Sequence, residues 1–142
     1  MDGSCLSHKL EIRVRPGDTD YTGNVFNPRY LEWFVKGRHE ALRAWGFDFS
    51  KDDGVMSDKE TGSPIKFVTG EIWCRISTAS RFNDLLLLHT FIGEIKSKTF
   101  KMEHRLYKKE DNKLAAEGYA IYVFLDFEGH NRFKEVIHMN LS

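Results

Sequence analysis

Residues 17–34 read Gly17-Asp18-Thr19-Asp20-Tyr21-Thr22-Gly23-Asn24-Val25-Phe26-Asn27-Pro28-Arg29-Tyr30-Leu31-Glu32-Trp33-Phe34, and two kinds of local structure meet inside that run. The first part, with its Asx, Thr and Gly residues, is turn chemistry. From Pro28 the pattern changes. Tyr30, Leu31, Phe34, Val35, Ala41, Leu42 and Trp45 fall on one stripe at the 3.6-residue period, which predicts an amphipathic helix over 28–45. Asn27 stands where an N-cap belongs, and Pro28 occupies the first helical position, where its missing N–H costs nothing. Gly46 stands where a C′ glycine closes the helix. At about 1.5 Å per residue the helix is roughly 27 Å long. Glu32 and Lys36 make an i,i+4 pair on its polar side. Gly37, mid-helix, costs about 1 kcal/mol against Ala, which calls for a close approach to a sheet.

Strands flank this helix. On its N-terminal side, His8, Leu10, Ile12 and Val14 alternate with Lys9, Glu11, Arg13 and Arg15. That period of two marks a half-buried strand, ended by Pro16-Gly17-Asp18. On its C-terminal side, residues 47–64 are polar and carry Gly54, Gly62 and Pro64, which reads as a loop. Four long strand-like runs then follow: 65–78, 85–96, 99–108 and 113–126. In the third, Phe100, Met102, His104 and Leu106 share one face. Lys109-Glu110-Asp111-Asn112 joins the last two as a hairpin. One long helix facing a curved antiparallel sheet is an α+β architecture, and nothing alternates β-α-β.

The chain has 142 residues, 41% hydrophobic and 30% charged, enough for one domain spanning 1–142 with a core. Lys plus Arg and Asp plus Glu are 21 each, and this balance argues against a nucleic-acid partner or an acidic membrane surface. The longest apolar run, Leu85 to Leu88, falls far short of the roughly 20 residues of a membrane helix. No apolar leader precedes Leu10. The two cysteines, Cys5 and Cys74, make neither a disulfide scaffold nor a zinc site. A cytoplasmic protein is expected.

Asp18 and Asp20 lie just before a helix N-terminus, which presents free N–H groups and about half a positive charge. Such an end is suited to an oxyanion. One short segment thus offers a carboxylate base or nucleophile together with an oxyanion donor. Gly23 allows a tight turn or a substrate's close approach. The plainer reading, Asx turns closing backbone hydrogen bonds, stands beside it and is adopted for Asp18.

Residues 17–34 resemble the signature of the 4-hydroxybenzoyl-CoA thioesterase family of hotdog-fold acyl-CoA thioesterases: an acidic pair, Gly three residues after the second acid, an aliphatic residue, then Tyr-Leu in the helix. GEIKSKTFKMEHRL, 93–106, and LAAEGYAIYVFLD, 114–126, resemble its later strands. The resemblance implies a long central helix wrapped by a five-stranded antiparallel sheet. It implies homodimers joined sheet edge to sheet edge, often paired into homotetramers, with the active site at the dimer interface. It implies an acyl-CoA substrate, no cofactor, Asp20 as the catalytic carboxylate, the Asn27 N–H as the donor to the thioester oxygen, and Tyr30 in the acyl pocket, with Gly23 and Val25 beside the substrate. Relatives often carry His or an aromatic at the position of Asn27; an N–H contact survives that change. The Gly23-Asn24-Val25 step is also similar to thioesterases that release polyketides from carrier proteins, so the acyl donor stays open, as does a non-catalytic acyl-CoA-binding role. Asp20 favours hydrolysis.

Other residues are weaker candidates. The six histidines show no HxxxH or HExxH spacing, so no metal site is expected. His39-Glu40 reads as a solvated or interface pair, Cys74 as an inert buried thiol, and Glu71 as a spare carboxylate. Coenzyme A phosphates need cations; Arg81 and Lys98 are the candidates.

Overall fold

The computed structural model describes residues 6–141. Its element order is β1 (Ser7–Arg13), a short 3-10 turn (Pro16–Asp18), α1 (Pro28–Ala44), β2 (Phe47–Phe49), β3 (Met56–Asp58), β4 (Pro64–Ile65), β5 (Phe67–Ile76), β6 (Leu85–Ile95), β7 (Thr99–Lys108), β8 (Leu114–Phe124) and α2 (Phe127–Met139). Five long strands form one antiparallel sheet in the order β1-β6-β7-β8-β5. This is the expected helix and five-stranded sheet. The two-residue alternation is clear in β1, β6, β7 and β8, each of which buries one face.

α1 crosses that face. The Cβ that Gly37 lacks would lie 2.6 Å from Leu88 Cδ2 and 2.8 Å from Thr90 Oγ1, so helix and sheet touch there through a glycine, as the sequence anticipates. Two bodies of core fill the space between. Under the first half of α1 lie Ile12, Val14, Phe34, Leu86, Leu88 and Leu106. Under the second half lie Ala41, Leu42, Phe47, Phe100, Met102, Phe133 and Ile137.

One expectation needs correction. Residues 47–64 are not a plain loop: β2, β3 and β4 form a small antiparallel sheet there. Segments of two or three residues are too short to show a period. After the last strand the chain forms α2, to which the sequence reading assigned nothing. Asp126 caps α2, its Oδ1 accepting the Gly129 N–H at 2.6 Å. The apolar face of α2 closes the second half of the core: the Phe133 ring lies 4.2 Å from that of Phe100 and 5.1 Å from that of Phe47.

The sheet has two unequal edges. β5 pairs only with β8 and leaves Val68, Ile72 and Ile76 exposed along a ten-residue strand. Among the described residues no helix is long and apolar enough to cross a membrane. Cys5 lies outside the described residues.

Candidate active site

The run from Asp18 to Phe26 is a small hairpin standing on the start of α1. The Phe26 N–H donates to the Asp18 carbonyl, Thr19 pairs with Val25, and the Asp20 N–H donates to the Asn24 carbonyl at 2.8 Å. Asp20 therefore sits near the tip and Asn27 at the base, three residues or about 10 Å of extended strand apart. Gly23 closes the tip with φ +84°, a left-handed conformation that glycine adopts without steric cost. Its missing Cβ would lie 2.8 Å from Arg81 Nη2.

The two acids of the pair have different environments. Asp18 is 3% exposed. Its Oδ2 accepts the Arg15 N–H at 2.8 Å, and its Oδ1 lies 3.2 Å from Arg29 Nε. Asp18 is thus a buried anchor tying the hairpin to the first turn of α1, which corrects its assignment to mere turn chemistry. Asp20 is half-buried. Its Oδ1 accepts from the Thr22 hydroxyl at 2.5 Å and the Thr22 N–H at 2.8 Å. The Thr22 hydroxyl bond, then the Thr22 N–H, hold its carboxyl below the usual carboxylate range; the Asn24 backbone and the Arg81 charge add to this. Asp20 Oδ2 makes no hydrogen bond among the described residues, so an ionised oxygen is left for chemistry.

The start of α1 departs from the expected capping. Asn27 already has helical angles, φ −49° and ψ −46°, and its side chain makes no capping bond. The orphan donors are met otherwise. The Arg29 N–H donates to Phe26 O, and the Tyr30 N–H to Asn27 O, while Pro28 has none to satisfy. The Asn27 N–H has no partner among the described residues. It is the donor that the first turn leaves over.

The other candidates fall into two groups. Arg81 comes to the loop: it bridges to Asn24, its Nη1 donates to Asn24 Oδ1 at 2.8 Å, and its Nη2 reaches the Thr22 carbonyl at 3.5 Å. Its observed role is to clamp the hairpin tip beside Asp20. Val25 is 3% exposed and donates its N–H to Ser80 O. Tyr30 is 1% exposed, and its hydroxyl accepts the Ser80 N–H at 3.3 Å. In this chain Tyr30 fixes the 80–81 segment from below, and its apolar body is core. Lys98 does not come to the loop. It lies between β6 and β7, where its carbonyl accepts the Phe124 N–H. That is the far end of the sheet from Asp84, which flanks the Asp20 loop.

Sequence reasoning passed over Thr22, the clamp on Asp20, and Ser80, the shared partner of Val25 and Tyr30. Thr22 carried a signal, since a Thr two residues after an Asp is placed to close an Asx turn. Ser80 carried none. Glu71 is exposed and bonds to the Tyr119 hydroxyl. Glu40 pairs with Arg43, and His39 packs against Phe49, so these two do not form an acid–base pair. Burial pushes the Cys74 thiol up, as befits an inert thiol. No cluster of potential metal ligands occurs among the described residues.

A long helix wrapped by a five-stranded antiparallel sheet, with an acidic hairpin at the helix start, defines a hotdog-fold protein. The chain belongs to the thioesterase-like superfamily, whose profile matches residues 14–139. It is 30% identical over 97 residues to the acyl-CoA thioesterase YbgC of Haemophilus influenzae, a match covering 68% of this chain and 66% of that protein. A putative esterase of Synechocystis is 38% identical over 58 residues, and the match spans only 35% of its length. Among solved structures, a gentisyl-coenzyme A thioesterase aligns with 32% identity and a TM-score of 0.68, covering 82% of this chain and 88% of that one. The 4-hydroxybenzoyl-CoA thioesterase of Pseudomonas sp. strain CBS-3, at 22% identity, TM-score 0.71 and 84% coverage of each chain, shares the fold.

Proposed function

We propose that this protein is an acyl-CoA thioesterase, with Asp20 as its catalytic carboxylate and the Asn27 N–H as its oxyanion donor. The observation that carries the reading is their complementary vacancy. Asp20 has one anionic oxygen without a partner, and Asn27 at the base of the same hairpin has the one N–H that the first turn leaves over. A thioester carbonyl with its oxygen on that N–H is polarised where charge develops. One such donor is worth roughly 3–4 kcal/mol. Asp20 then either attacks the carbonyl carbon or removes a proton from water that attacks it, and the second role alone supplies about 10²–10⁴-fold. In either route the C–S bond breaks and coenzyme A leaves as its thiol; attack by Asp20 leaves a mixed anhydride that water then opens, attack by water gives the free acid directly, and both end with Asp20 restored. The depressed carboxyl needs no tuning for either role. The names of the Haemophilus relative and of the gentisyl-coenzyme A thioesterase agree with this substrate class.

The working unit in this reading is a dimer, or a tetramer built of dimers. β5 supplies the edge: ten residues with unpaired backbone groups and three exposed aliphatic side chains form a surface that pairs with a second copy. The test is release of coenzyme A thiol from a panel of acyl-CoAs. Turnover that Asp20→Asn removes supports the assignment, and binding without turnover would make the chain an acyl-CoA-binding module. A single turnover in ¹⁸O-water tests for the anhydride: ¹⁶O in the first product together with ¹⁸O left in Asp20 marks attack by the carboxylate and opening of the anhydride at the Asp20 carbonyl.

A further inference from the structure

A cation lies buried in the middle of this protein without an anion. Arg38, on the third turn of α1, is 5% exposed. Its Nη1 lies 3.1 Å from His104 Nε2. An arginine does not give up its proton, so Nε2 accepts and the ring hydrogen sits on Nδ1, from which it donates to Thr90 Oγ1 at 3.0 Å. His104 is therefore neutral, and it stacks on Phe34 with ring centroids 4.7 Å apart. The guanidinium carbon also lies 5.7 Å from the centre of the Tyr122 ring, its charge acts on the Tyr122 hydroxyl, and His39 is a further neutral neighbour. Arg38 Nε is buried with no hydrogen-bond partner, and none of the ion pairs among the described residues includes it. A desolvated charge that meets only neutral groups is costly unless something pairs with it.

Arg38 also lines a groove of about 490 Å³ between α1, the segment 53–56, the start of β5 and the end of β8. Val35, Phe49, Met56 and Phe67 give it apolar walls, and Lys66 adds a second cation at its rim. The acidic lining residue, Asp53, is exposed and turned to its own loop, accepting the Val55 N–H at 3.0 Å. A groove with apolar walls that contains a guanidinium facing no anion fits a hydrocarbon segment tipped by a carboxylate, which Arg grips with two parallel bonds.

We propose that this groove is a carboxylate-binding subsite, in which Arg38 holds the terminal carboxylate of an acyl chain and selects dicarboxylic acyl groups over plain fatty ones. The kinetic half rests on the thioesterase reading; the binding half does not. The helix start lies about 16 Å from Arg38 along α1, so the subsite recognises the tail of the acyl group and takes no part in the chemical step.

The binding test compares octanoate with octanamide by thermal shift. Octanoate is expected to raise the melting temperature of the wild type while octanamide does not, and Arg38→Gln is expected to abolish the difference. Equal responses in the wild type overturn the proposal. The kinetic test compares tetradecanedioyl-CoA, whose chain is long enough for that span, with tetradecanoyl-CoA. The wild type should favour the dicarboxylic thioester by about tenfold to a hundredfold in kcat/KM, the range of a hydrogen bond to a charged group, with the ratio near one in Arg38→Gln and intermediate in Arg38→Lys. Should Arg38→Gln fail to fold, the wild-type ratio and Arg38→Lys decide. Discrimination by octanoate with no thioester turnover keeps the subsite and removes the thioesterase reading. Turnover of both thioesters at equal kcat/KM does the reverse. If the missing anion comes from a second copy of the chain, octanoate will not bind and Arg38→Gln will shift sedimentation toward monomer, which also overturns the proposal.

Discussion

At the first turn of α1, Asp18 and Asp20 meet guanidinium, hydroxyl and backbone N–H partners in a hairpin that water reaches. About three turns later, Arg38 meets an imidazole, a phenol ring and no carboxylate, in a place that water barely reaches. The same helix thus carries charge in two ways. Near its start the charges are satisfied by short-range turn chemistry, and what is left over is small and specific: one carboxylate oxygen and one amide. At its middle the charge is satisfied only by neutral groups brought from strands more than fifty residues away. The first arrangement is poised for a reaction at its spare atoms. The second is poised for a ligand that supplies the missing charge.

The two places can be broken separately. The largest effect is expected from Asp20→Asn, which removes the anionic oxygen but keeps the bond from Thr22. Turnover should fall by at least about a hundredfold with melting temperature nearly unchanged; steady-state thiol release measures the first and calorimetry the second. Activity within threefold of wild type would sink the assignment.

Asp18→Asn should instead act on stability. It leaves Arg29 beside a buried neutral amide, at a cost of about 2–3 kcal/mol, the range of a lost hydrogen bond to a charged group. Urea unfolding measures it. A loss under about 0.5 kcal/mol would return Asp18 to ordinary turn chemistry.

His104 sharpens the other place. Burial first, and the Arg38 charge second, push its pKa down to about 3 from 6.5. Between those values the unfolded chain takes up a proton that the folded chain refuses, so stability falls as pH falls. From pH 6.5 to 5 the loss attributable to this one group is about 2 kcal/mol. His104→Asn should remove that part of the pH dependence, read as the difference between the two stability–pH curves. Parallel curves would mean that the imidazole titrates normally when folded.

The smallest effect is expected from Asn27→Ala. A side chain that makes no capping bond should cost less than about 0.5 kcal/mol, against about 1 for a working N-cap. A full 1 kcal/mol in urea unfolding would show that the amide caps in solution.

Much of this was legible in the sequence. The five long strands and α1 were: α1, β1 and β7 through clear periods, and β5, β6 and β8 as long strand-like runs. Gly37 declared its contact with the sheet. The acidic hairpin was legible as turn chemistry ahead of a proline-led helix. β2 to β4 were not, since two or three residues carry no period. α2 was left unassigned although Asp126 and the apolar spacing of Phe133, Val136 and Ile137 mark it. His104 was placed correctly on a buried face, but its partner lies 66 residues away on α1. No local pattern encodes that pairing. Likewise, nothing in the spacing of Asp18 and Asp20 says that the first is sealed under Arg29 while the second is left half open.

The position of Phe133 also sets an order of events during synthesis. β1 pairs with β6, some eighty residues later, and the aromatic stack of Phe47, Phe100 and Phe124 is closed only by Phe133. A nascent chain therefore exposes the apolar face of the sheet until residue 137 has cleared the ribosome. Folding is then limited by distant pairings, and the interval is one in which the bare aromatic face needs a chaperone or risks association with its neighbours on the polysome.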